Sequence, residues 1–211
     1  MRVIAQWILC DVGNSESVKN AFKIIASTTP KIDVLVNNAG IGSTGSIEDA
    51  TDEEWSQVMN INVAGIGRVS SAALPLLRKS SSASIVNTCS VLATSGVQNR
   101  AVYSASKGGV LFLTLAMAVD LLQEKIRVNC VNPGTADTPW VARLLDNSVD
   151  SAIERRNLES RQPMGRLISA SEVCNAILYL ANPRQASTTG TSLAVDGGFQ
   201  NLKIKNKCTR F

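Results

Sequence analysis

Histidine is absent from all 211 residues, which removes the side chain behind most general bases at neutral pH and behind many metal sites. A Ser-His-Asp triad, a Cys-His pair and any His-ligated metal are thereby excluded. Cysteine is scarce too. Cys10, Cys89, Cys130, Cys174 and Cys208 are odd in number, widely spaced and form no C-x-x-C, so neither a disulfide framework nor a zinc site is indicated. That usage fits a reduced, cytoplasmic setting. Aromatic residues make up 4% of the chain, and its 21 Lys and Arg against 17 Asp and Glu are not interleaved with them, so no nucleic-acid partner is indicated. Lys203, Lys205, Lys207 and Arg210 cluster at the C-terminus and read as a solvated tail over 200–211. The longest apolar run is cut by Lys107 and Asp120 to about a dozen residues, too few for a membrane span. Arg2 and the apolar residues after it faintly resemble a signal peptide. Gln6 interrupts them and no small-residue cleavage site follows, so residues 3–10 read as a buried strand.

What is present is an ordinary globular composition, 45% apolar and 18% charged, at a length that fits one domain. Short β-rich runs alternate with longer helical patterns, which predicts βα units and an α/β fold with a parallel, doubly wound sheet. Strands are expected at 3–10, 32–36, 84–88, 126–131 and 191–195. Helices are expected from an N-cap at Ser15 to Ala26, from a Thr51/Glu54 capping box, over Asn60 to Arg78, over Tyr103 to Gln123, and from a cap at Ser171. Residues 137–168 lack clean periodicity and read as a lid or substrate loop. The 103–123 helix is apolar almost all round, so it needs a second buried face beyond the sheet.

The chemistry centres on Tyr103-Ser104-Ala105-Ser106-Lys107. Tyr103 and Lys107, four apart, share a helix face. A phenol titrates near ~10, and a neighbouring cation stabilises the phenolate, so Lys107 is expected to bring Tyr103 towards use as an acid or base. Alone, the pair would be a solvated helix face. It has company: Ser90 at the end of the 84–88 strand, Asn37-Asn38-Ala39-Gly40 at the end of the 32–36 strand, and Asn132-Pro133-Gly134-Thr135 at the end of the 126–131 strand. Small residues at the carboxyl edge of such a sheet let a flat ligand approach the backbone. Asn62 is a polar residue on an apolar helical stretch and reads as a cap.

Taken with Asn62-Val63-Ala64-Gly65 and the closing Asp196-Gly197-Gly198, these motifs resemble the classical short-chain dehydrogenase/reductase family from about Asp11 to Phe199. The resemblance implies a catalytic set in which Tyr103 exchanges a proton, Ser90 bonds the substrate oxygen, Lys107 lowers the Tyr103 pKa and holds the nicotinamide ribose, and Asn62 holds a helix bulge and a relay water. It implies a cofactor lying along Asp11 and Val12 at the adenine, Asn38, Ala39 and Gly40 at the ribose, and Pro133, Gly134, Thr135 and Ala136 near the nicotinamide, with Tyr103 and Lys107 in contact. NAD is favoured over NADP only as the commoner partner of sugar-type dehydrogenases. The 133–140 stretch is similar to the 2-keto-3-deoxy-fuconate dehydrogenase branch, which implies a small-molecule alcohol or carbonyl substrate, a sugar acid among the candidates. A homodimer or homotetramer is implied, and neither a metal nor a membrane.

The family's T-G-x-x-x-G-x-G turn finds no counterpart before Asp11. Residues 1–199 are therefore expected to be an incomplete dinucleotide-binding domain, with the 3–10 strand lacking its usual neighbours and cofactor affinity weakened. An active oxidoreductase and a non-catalytic fragment or pseudoenzyme both remain open at this point.

Overall fold

The structure, a computed structural model, describes residues 5–146 and 150–203. Most of the expected tail, 204–211, lies outside the described residues, as do residues 1–4, which include the start of the first expected strand. In chain order the strands are β1 (Val34–Asn37), β2 (Ser84–Thr88), β3 (Arg127–Pro133), β4 (Ala136–Asp137), β5 (Ile168–Ser169) and β6 (Ser192–Val195). The helices are α1 (Ser15–Thr28), α2 (Asp52–Met59), α3 (Gly65–Leu77), α4 (Ala101–Asp120), α5 (Pro139–Asp146), α6 (Ser151–Ser160) and α7 (Ala170–Ala181). A π-helical turn, Asn60–Ala64, joins α2 to α3, and a 3₁₀ turn, Val91–Ala93, follows β2.

Four strands form one parallel sheet in the order β1-β2-β3-β6, registered by Leu35 against Ile85, Ile85 against Val128 and Cys130 against Ser192. β2 and β3 are central and buried on both faces, and their buried Ser84, Asn87, Asn129 and Asn132 are polar, whereas the apolar run of β1 leaves Val34 and Val36 partly exposed at the sheet edge. Odd residues of β2 face α3 and α4, where Ala73, Leu77, Ile85, Ala118 and Val128 close together; even ones face α7, where Val86, Val131 and Leu180 do. Helices thus cover both faces, and every strand delivers its carboxyl end to the same edge. α4 is long and apolar enough by composition to cross a bilayer, yet Val102, Val110, Thr114 and Ala118 are buried against the protein.

Four expectations need correction. Residues 5–10 form no strand; Trp7 and Leu9 are 87% and 86% exposed. Apolar residues make a strand only beside a partner that takes up their N–H and C=O groups, and among the described residues none lies alongside. The cap of α1 is Asn14, whose side chain accepts from Ser17 N, one residue earlier than expected. Likewise Ser169, not Ser171, caps α7 and forms the capping box with Glu172. Residues 137–168 are no structureless loop: α5 and α6 pack through Val141, Leu145 and Leu158, and β4 pairs with β5. Each of those helices is too short for its periodicity to stand out. The sheet of the expected fold class is present.

Candidate active site

The π-helical turn is where the site begins. An extra residue in the turn aims Asn62 inward, where it is buried. Its Oδ1 accepts from Ile41 N at 2.8 Å, and its Nδ2 donates to Ile41 O at 2.9 Å and to Ser106 Oγ at 3.0 Å. Asn62 therefore ties the loop after β1 to the first turn of α4. Two residues earlier, Asn60 donates to Gly13 O at 3.0 Å, and Arg68 donates to Val12 O at 3.2 Å. The same turn thus also holds the loop that carries Asp11 and Val12.

Ser90 leaves the carboxyl end of β2, and its hydroxyl accepts from Leu92 N at 3.2 Å, fixing the 3₁₀ turn. Tyr103 and Lys107 lie on the first turns of α4, one above the other, with Lys107 Nζ 5.6 Å from the Tyr103 ring centre. Lys107 is buried and donates to Thr88 O at 2.9 Å. Burial disfavours its charge and holds its pKa below the ordinary value. Burial also pushes the Tyr103 phenol up, opposed by hydrogen bonding with Ser90 and by the charge of Arg100. This departs from the expectation that Lys107 lowers Tyr103. The ammonium of Lys107 donates to Thr88 O, and Arg100 is the cation that most opposes the rise.

A cavity of about 750 Å³ opens at this edge of the sheet. Asn38, Gly40, Ser90, Tyr103, Lys107, Pro133, Gly134, Thr135 and Ala136 all line it. Asn62 stands behind that lining, Ala39 is not part of it, and Asp11 and Val12 sit apart in the latched loop, Val12 against Gly65. At two glycines on this edge a side chain would collide with the protein itself. A Cβ at Gly40 would come within 3.2 Å of Asn62 Oδ1, and one at Gly134 within 2.4 Å of Gln162 Oε1.

Sequence reasoning missed several neighbours. Arg100 lines the cavity three residues ahead of Tyr103, a helical spacing that could have pointed to it, and donates to Ser43 O at 2.9 Å and to the Thr44 hydroxyl. Arg161 and Trp140 reach the cavity from the segment expected to be a loop. Cys89, beside Ser90, donates to Lys107 O at 3.2 Å and shares a hydrogen bond with Cys130 that raises its own pKa and lowers that of Cys130. No group of three or more potential metal ligands occurs among the described residues.

A family model described as enoyl-(acyl carrier protein) reductase matches residues 2–200. The chain belongs to the short-chain dehydrogenase/reductase family. It is 41% identical over 175 residues to dehydrogenase/reductase SDR family member 6 of Rattus norvegicus, covering 82% of this chain and 71% of that protein. Its structure resembles ligand-free aldohexose dehydrogenase of Thermoplasma acidophilum, with a TM-score of 0.87 and 34% identity over 94% of this chain and 81% of that one. A phenylalanine-to-tryptophan variant of the actinorhodin polyketide ketoreductase, with NADPH, superposes with a TM-score of 0.86 at 32% identity, over 92% and 77% of the two chains. Short-chain dehydrogenases are oxidoreductases that use a nicotinamide cofactor. The residues present fit one: the cavity runs along the strand ends at Asn38, Gly40 and Pro133 to Ala136, and Lys107 presents a buried cation beside it.

Proposed function

We propose that this chain transfers a hydride between NAD or NADP and an alcohol or carbonyl that carries an acid group, a sugar acid among the candidates. The observation that carries this is the meeting of Ser90, Tyr103 and Lys107 in one cavity that Arg100 and Arg161 also line. When bound, the dinucleotide supplies the hydride donor or acceptor. Tyr103 gives the proton to the carbonyl oxygen in reduction and takes it from the alcohol in oxidation. Ser90 bonds the same oxygen, and Lys107 holds the ribose hydroxyls. Asn62 orders the relay that refills Tyr103. Asn38, Ala39 and Gly40 lie along the adenosine ribose, Asp11 and Val12 near the adenine, and Pro133 to Ala136 along the nicotinamide. NAD is favoured on the likeness to sugar-type dehydrogenases.

The acid group follows from the arginines. Burial and the nearby Arg161 both disfavour the charge on Arg100 and lower its pKa. A carboxylate between the two relieves that repulsion and takes a forked pair of hydrogen bonds. In this reading residues 1–199 form the dinucleotide-binding domain, the protein works in the reducing cytoplasm with its thiols free, and it assembles as a homodimer or homotetramer.

The test is a titration of the purified chain with NADH and NADPH, followed by turnover of hydroxy acids and of neutral alcohols matched in size. Weak but measurable binding of one nucleotide and selective oxidation of the acids are expected. Tyr103→Phe should keep nucleotide binding and lose about 10²- to 10⁴-fold in kcat. Absence of nucleotide binding by the wild type, or a Tyr103→Phe enzyme that turns over normally, overturns the proposal.

A further inference from the structure

Gln162 carries the one buried side-chain oxygen or nitrogen without a hydrogen-bond partner among the described residues, its Oε1. It follows the C-terminus of α6, is 1% exposed, and does not line the cavity. Its Nε2 donates to Arg166 O at 2.9 Å and to Thr135 O at 3.4 Å. Two carbonyl partners fix the amide's orientation, since turning it over would point an oxygen at both. Oε1 is thereby driven against Gly134, at the place a Cβ would occupy, 2.4 Å away. An unpaired buried carbonyl is costly, and its persistence calls for a structural or functional reason.

We infer that Gln162 is a positioning residue that sets the Gly134–Thr135 turn for the nicotinamide end of the cofactor. The inference rests on the proposed function, which lays that end along Pro133 to Ala136. Gln162 does not line the cavity, so it acts through its neighbours. Its Nε2 joins Ile168 N in holding the Thr135 carbonyl, which fixes which way the Thr135–Ala136 peptide faces. Its Oε1 fills the space beside the Gly134 Cα and so requires glycine at 134. Being next in sequence to Arg161, it also anchors the chain that brings that arginine to the cavity. Arg166, the second partner, is tied to Glu172 by 2.8 and 2.9 Å contacts, so the clamp reaches the capping box of α7 and has a firm base.

A residue that merely supported the fold would affect all ligands alike. ADP-ribose lacks the nicotinamide and therefore separates the two roles. Gln162→Met, which keeps the volume and removes both polar groups, should weaken NADH by about tenfold, roughly 1.4 kcal/mol, and leave ADP-ribose within about twofold. If Gln162→Met does not fold, Gln162→Asn, which withdraws the amide from Thr135, is read the same way. Thermal melts of Gly134→Ala, Gln162→Ala and the double variant form a second arm that needs no ligand. The double variant should melt higher than the sum of the single losses predicts, because the methyl then meets no Oε1.

Equal loss of both ligands, or of neither, overturns the inference while leaving the proposed function in place. Strictly additive melts overturn it as well. A wild-type chain that binds neither NADH nor ADP-ribose removes the proposed function and this inference together.

Discussion

Tyr103 is pulled in two directions, and the direction that wins sets a pH dependence. Burial favours the neutral phenol and raises its pKa, whereas Ser90 and the Arg100 charge favour phenolate. Because the net shift is upward, the protonated form that reduction needs persists well into the alkaline range, and the phenolate that oxidation needs appears only there. Alcohol oxidation should therefore climb with pH through and beyond neutrality, and carbonyl reduction should fall only at the alkaline end. Arg100→Met removes a cation that lowers the pKa, so both limbs should move to still higher pH in initial-rate profiles. A shift to lower pH would contradict the electrostatic role. Tyr103, Lys107 and Ser90 were legible in the sequence because their chemistry depends on local spacing and on a strand end. Arg161 and Gln162 were not, since they enter from the end of α6, whose placement depends on packing by Val141, Leu145 and Leu158.

At the scale of elements, polar groups inside the core decide how strands and helices are registered. Asn37 on β1 donates to Ser70 on α3 at 3.0 Å and to Asn87 on β2 at 2.9 Å, and Asn87 in turn donates to Thr114 on α4 at 2.9 Å. All four are buried. Asn87→Leu would take one hydrogen bond from each of Asn37 and Thr114, which keep Ser70 Oγ and Val110 O, and should cost about 1–3 kcal/mol in denaturant unfolding. A loss under about 1 kcal/mol would mean that water reaches the ladder. The capping box of α7 gives a different signature. Arg166 and the Ser169 amide and hydroxyl lower the Glu172 pKa from 4.5 to about 2. A depressed carboxylate stabilises the fold above its unfolded pKa and loses that contribution as pH falls through the folded value. The melting temperature of the wild type should thus fall between about pH 4.5 and pH 2, and Glu172→Gln should flatten that part of the profile.

These elements also mark how far the sequence could be read. β2 was placed to the residue because the Ser80-Ser81-Ser82 loop marks its start and Cys89-Ser90 its end. The Thr51 cap was found because its hydroxyl bonds its own third neighbour, Glu54 N. The cap of α7 was set at Ser171 because two serines stand within reach of Glu172, and only the tertiary fold decides that Ser169 takes the role. Residues 3–10 have the composition of a strand, yet composition supplies no partner. The π-helical turn shows in no periodicity and was expected only through the family resemblance at Asn62, since its cause is what Asn60 and Asn62 hold: Gly13 O on one side, Ile41 and Ser106 on the other.

For the whole molecule the open question is what covers α4. Its inner face meets the sheet through Val110, Thr114 and Ala118, while Phe112, Leu115, Val119 and the following Leu122 point outward at helical spacing. Phe112 and Val119 are 70% and 71% exposed. A continuous apolar stripe of this kind is rare on a monomer surface and marks an interaction site. No bilayer is needed to account for it, because a second copy of the same helix offers a matching stripe, and a two-fold axis lets the surface pair with itself. Light scattering at micromolar concentration should give at least twice the monomer mass of 22.4 kDa. Phe112→Asp combined with Val119→Asp would bury two carboxylates against the partner's stripe, so that variant should run as a monomer with unchanged far-ultraviolet circular dichroism. Neither position lines the cavity, so nucleotide affinity should change by less than about threefold unless the paired helices also brace Tyr103 and Lys107 at the far end of α4. A wild-type chain that is monomeric at that concentration would refute the assembly.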